Sequence, residues 1–134
     1  MIPDTKNTQA NSVKINCGTG FLRDDGIVQF NIADDYIIEI SDLIEINEGV
    51  GKLNGDVKTC NMFVCENYTN ISHEAIKYSN DPENFKYTLA DAFVVKSMHQ
   101  KLLANFYITI IKPPVPTKYF MNEAAAVEWL KSLL

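Results

Sequence analysis

The chain has 134 residues, 46% of them hydrophobic and 22% charged, and a formal net charge of −5. That length fits one domain able to bury about two-thirds of its unfolded surface, and the balance is that of an ordinary globular protein. Arg23 is the only arginine among 12 basic residues, so the basic stripe that nucleic acid requires is missing, and the acidic balance disfavours docking on anionic lipid.

Residues 1–12 are polar and aperiodic and read as a flexible tail, with a single α/β domain over residues 13–134. Val13 to Leu22 reads as a strand. Asp25-Gly26 is a hairpin signal, because a type I′ turn needs positive φ, and Ile27–Ile32 is the returning antiparallel strand. Tyr36-Ile37-Ile38-Glu39-Ile40 either extends that strand after a kink at Asp34-Asp35 or leads into a helix. Ser41 is the expected N-cap of a helix whose apolar stripe is Leu43, Ile46, Val50 and Leu53, ended by Asn54-Gly55.

Val57 to Cys65 holds a strand centred on Met62-Phe63-Val64, apolar without alternation, as in a parallel sheet buried on both faces. Ser72 is expected to cap a helix over residues 73–80, with Asp81-Pro82 ending it and a short helical turn within residues 83–90. Asp91 to Val95 is the next buried strand. Ser97 caps a helix carrying Met98, Leu102, Asn105, Phe106 and Thr109 along a face. Residues 108–111 are β-branched enough for a strand, and a helix to about residue 110 is favoured. Thr117–Phe120 is a short strand. Asn122 caps a final helix with Ala126, Trp129, Leu130 and Leu133 on its buried face, Trp129 as the anchor. The alternation after the opening hairpin predicts a mixed, mainly parallel sheet with crossover helices and an antiparallel N-terminal hairpin.

No catalytic, cofactor-binding or metal-binding set stands out. His73 and His99 have no second ligand at metal spacing. Gly18-Thr19-Gly20 lacks the third glycine and the setting of a phosphate loop. Asp24-Asp25 and Asp34-Asp35 read as solvated turns. Cys17, Cys60 and Cys65 are odd in number, and Cys60 and Cys65, five apart on one strand, point to opposite faces. They are expected as free thiols, small core residues in a reducing cytoplasm. No segment reaches the ~18 apolar residues of a membrane span, and the start has no charged-then-apolar leader. Lys112-Pro113-Pro114-Val115-Pro116 reads as a stiff connection, or as a polyproline ligand for a partner. Phe106, Tyr107, Ile110 and Ile111 offer more apolar surface than one helix stripe needs, a candidate self-association patch.

Taken together, Met62-Phe63-Val64-Cys65, Ile71-Ser72-His73-Glu74-Ala75, Ala90–Val95, Lys101–Phe106, Lys112-Pro113, Pro116–Phe120 and Ala126–Leu130 resemble the STAS or SpoIIAA-like group, the fold of bacterial anti-sigma-factor antagonists. The resemblance covers residues 27–134 and implies a non-enzymatic regulatory or protein-interaction module acting as a homodimer. The antagonists carry a phosphorylatable residue at the start of the helix after the central strand, in an Asp-Ser-x-Gly context. Ser72 is the nearest equivalent, at a helix start where phosphate is favoured, although the Asp and Gly are absent. An alternative is a small apolar-ligand or lipid binder of the Sec14-like class, its cavity lined by the helices after Ser72 and Ser97.

Overall fold

In the computed structural model, residues 12–134 are described. The expected tail over residues 1–12 therefore lies outside the described residues, except for Ser12, which already begins a strand. Among the described residues there are eight strands and four α-helices: β1 Ser12–Ile15, β2 Gly18–Leu22, β3 Val28–Ile32, β4 Tyr36–Ile38, α1 Ile40–Leu53, β5 Thr59–Val64, β6 Thr69–Ile71, α2 His73–Tyr78, β7 Thr88–Val94, α3 Met98–Phe106, β8 Thr117–Phe120 and α4 Glu123–Lys131. A 3₁₀ turn at Pro82–Phe85 precedes β7, and a π-helical turn at Tyr107–Ile111 extends α3.

The main sheet has the order β1-β2-β3-β5-β7-β8. Its first three strands are antiparallel, and β3, β5, β7 and β8 run parallel. The mixed, mainly parallel sheet with its N-terminal hairpin thus agrees with the sequence pattern. The segment read as one strand over residues 13–22 is in fact two. Asn16-Cys17 turns the chain, and Gly18 (φ +157°) lies so close to β3 that a Cβ there would fall 2.0 Å from the Asn31 carbonyl oxygen. The second turn is the expected one: Gly26 takes φ +87°, and the Arg23 guanidinium clamps Asp25 at 3.0 Å.

Period-two alternation divides the core. Cys60, Met62 and Val64 of β5 and Ala90, Ala92 and Val94 of β7 face α4, where Ala126 and Leu130 are fully buried. Trp129 packs on Phe120 with ring centroids 5.8 Å apart, as an anchor should, but Leu133 is exposed rather than buried. On the opposite face, Val28, Phe30 and Ile32 meet Ile46, Val50 and Leu53 of α1. Because the parallel strands advance in one direction across the sheet, their connections fall on one face, and α1, α2 and α3 share it.

Helix starts are set locally. Ser97 accepts from the Gln100 amide, Asn122 from Ala125 and Ser72 from Ala75, as the sequence suggests. The exception is α1. Its cap is Glu39, whose amide donates to Asp42 Oδ2 at 2.8 Å, and Ser41 falls in the first turn. Tyr36–Ile38 does not prolong β3; it leads into α1, with Glu39 as the cap and Ile40 as the first helical residue. It pairs in parallel with β6 in a separate two-stranded sheet over one end of the helical face. The π-helical turn resolves the choice between helix and strand at residues 107–111 in favour of helix.

Candidate functional site

α2 is only six residues long, while the layer it belongs to must cover β5 and β7. A helix of that length spans about 9 Å, so the sheet beneath is incompletely covered. The result is a cavity of about 170 Å³ between the sheet and α1, α2 and α3. Phe63 and Phe93, with ring centroids 5.6 Å apart, and Tyr107, edge-on to Phe93 at 6.0 Å, line it. Ile46, Ile76 and Ala104 belong to the helical wall. At one end, the Gln100 amide nitrogen donates to the carbonyls of Glu66 (2.6 Å) and Thr69 (3.0 Å), tying down the loop before β6.

Polar groups interrupt this apolar lining on β5 and β7. Asn61 is 2% exposed and Asp91 6% exposed. They are register partners in the parallel ladder, and Asn61 Nδ2 donates to Asp91 Oδ1 and to Thr88 Oγ1, both at 3.0 Å. Thr88 reaches the same face as Asp91, three residues on, because the register shifts between the pairs Thr59↔Thr88 and Cys60↔Ala90. Leu89 is the extra residue, and such a bulge re-aims the side chains beside it. Burial pushes the Asp91 carboxyl up to about 7, against the opposing effect of the Asn61 hydrogen bond. Among the described residues the lining includes no Lys, Arg or His. The Oδ1 atoms of Asn61 and of Asn47, a residue of α1 on the cavity wall, are buried without a hydrogen-bond partner.

The sequence reading passed over Asp91 and Asn61. The signal was present: a single acid within Ala90-Asp91-Ala92-Phe93-Val94-Val95 and a single amide within Thr59-Cys60-Asn61-Met62-Phe63-Val64. A buried polar residue is the informative kind.

The residues singled out from the sequence are dispersed. Ser72 is half-buried at the start of α2, its hydroxyl accepting from the Ala75 amide at 3.1 Å. Phe106 and Ile110 are exposed and Ile111 half-buried, but Tyr107 leaves the expected patch: it is 8% exposed and donates to the Ser79 carbonyl at 3.3 Å. Met98 and Leu102 join Phe106 and Ile110 instead, a four-residue spacing that makes an exposed apolar stripe along α3. Cys17 and Cys60 are buried and Cys65 half-buried, all as free thiols, and burial pushes them up to about 12, 11 and 11 respectively. None is a thiolate at neutral pH. His73 is exposed, and His99 approaches Asn70 Oδ1 at 3.3 Å. Among the described residues no three His, Cys, Asp or Glu side chains cluster as a metal site, and no helix is long and apolar enough to cross a membrane.

Residues 21–134 match the model of a family described as a domain of unknown function (DUF7793), and the chain belongs to that family. Neither the curated proteins nor the solved structures contain a match.

Proposed function

We propose that this member of the DUF7793 family is a small-ligand-binding protein whose site is the cavity between the sheet and α1, α2 and α3. The observation that carries this reading is a void of about 170 Å³ walled chiefly by apolar side chains and holding a buried Asp91–Asn61–Thr88 cluster. Concave, mostly apolar sites with a few convergent polar groups are the usual form of ligand pockets. A void of this size takes a body about as large as benzene, judged against dry apolar cavities of ~150 Å³ that hold it. This favours the apolar-ligand alternative over a lipid with long acyl chains. Native mass spectrometry of the protein purified from its own cells tests it. A discrete adduct is expected, absent from an Ala104→Phe variant whose ring fills the void. Protein of bare mass that also fails to take up added small aromatics refutes the reading.

A second reading is a STAS-like regulatory module that self-associates, in the cytoplasm, where three free thiols stay reduced. The exposed stripe Met98, Leu102, Phe106 and Ile110 supports it, since contiguous apolar surface marks interaction sites. In that reading Ser72, at the start of α2, is the candidate phosphorylation point. Light scattering coupled to gel filtration tests the association: a dimer that Leu102→Glu converts to monomer supports it, and a monomeric parent protein removes it.

A further inference from the structure

Four amide nitrogens of the cavity wall are engaged by the protein itself. Asn47 Nδ2 donates to the Glu83 carbonyl, Asn84 Nδ2 to the Tyr78 carbonyl and Asn61 Nδ2 to Thr88 and Asp91, while Gln100 Nε2 is spent on the loop before β6. Three acceptors there have no partner among the described residues: Asn61 Oδ1, Asn47 Oδ1 and the second carboxylate oxygen of Asp91. A buried acceptor without a donor is costly, and more so when it is charged. Among the described residues no cation lies on the wall to pair with Asp91. The other titratable groups that feel its charge are the Cys60 thiol and the Tyr107 phenol, both protonated at neutral pH and neither a cation.

We infer that the ligand of this cavity carries a hydrogen-bond-donating cationic head, a primary amine on a compact apolar body, and that its ammonium group pairs with Asp91 beside Asn61. An ammonium brings three donors and no acceptor, and the positive charge that the described lining does not offer Asp91. A carboxylate-headed ligand would set like charge against Asp91, with no Lys, Arg or His among the described lining residues to offset it. This inference rests on the ligand-binding reading and adds the chemistry of the head. Ammonium binding favours the ionised carboxyl, so below pH 7 it is accompanied by release of a proton from Asp91.

The test uses four probes with one body and different heads: benzylamine, benzyl alcohol, toluene and benzoate, titrated into the whole chain at pH 8. Benzylamine is expected to bind at least tenfold tighter than toluene, with the alcohol between them and benzoate weakest. Asp91→Asn should erase the tenfold preference and leave toluene within about twofold. At pH 6, calorimetry in buffers of different ionisation enthalpy should register the released proton. The probe ranking on the parent protein stands without the variant. Equal affinities for all four heads, or benzoate tightest, overturn the amine inference while leaving the cavity a binding site. No binding by any probe at millimolar concentration overturns the ligand-binding reading and the inference with it.

Discussion

Asp91→Asn should make the protein more stable at neutral and alkaline pH, and the size of the gain follows from the site. Asp91 sits on a central strand with an apolar face above it, and its carboxyl is raised from 3.8 to about 7 in the folded state. Each pKa unit corresponds to about 1.4 kcal/mol, so the shift amounts to about 4 kcal/mol at most. The sign follows from proton counting. Below pH 3.8 both states hold the proton and folding is indifferent to pH. Between 3.8 and 7 the folded state holds more protons than the unfolded chain, so stability falls as pH rises. Above 7 both states are ionised and the cost of the buried charge is present in full. Asparagine is neutral throughout and its side-chain oxygen can still accept the Asn61 hydrogen bond, so this descent disappears. Urea unfolding from pH 5 to 8 measures it. The parent protein should lose about 3 kcal/mol over that range through Asp91, and the variant should run above it, the two curves diverging as pH rises. Parallel curves would refute the argument, as would a carboxyl carbon of Asp91 that titrates near 4 by NMR.

Removing the fully buried Leu130 side chain from between α4 and the sheet, Leu130→Ala, should cost about 2–5 kcal/mol, read as a lower urea midpoint. Ser72→Ala removes the acceptor for the Ala75 amide at the start of α2 and should cost about 1 kcal/mol; a change within 0.2 kcal/mol would mean that α2 is held by its neighbours alone. Gly18→Ala drives a methyl group into the Asn31 carbonyl and should destabilise the β2–β3 pairing, measured as faster hydrogen exchange of the Ala33 amide, which donates to the Cys17 carbonyl at 2.7 Å. Cys17, Cys60 and Cys65 should show no thiolate absorbance on titration to pH 9 in the folded protein, and a thiol ionising below 8 would contradict the burial described for it.

Local chemistry alone determined much of this protein. Ser72, Ser97 and Asn122 cap their helices because a short side-chain oxygen reaches the free amides of a first turn wherever the turn sits. Asp25-Gly26 turns because glycine takes positive φ without cost. The unbroken apolar centres of β5 and β7 signal a sheet covered on both faces, as they are by α4 on one side and α1 with its neighbours on the other. Contacts distant in the chain decided the rest. β4 and β6 are three residues each and exist by pairing with one another across 33 positions. Glu39 displaces Ser41 as a cap because Tyr36, held in that small sheet, donates to Asp42 at 2.8 Å and fixes the acid that receives the Glu39 amide. Tyr107 turns inward because Phe93 and the Ser79 carbonyl are there to receive it. The cavity depends on how much sheet a six-residue α2 leaves uncovered. That quantity belongs to the packing of layers and not to any segment, which is why Asp91 and Asn61 read as ordinary strand residues until the fold brings them together in its wall.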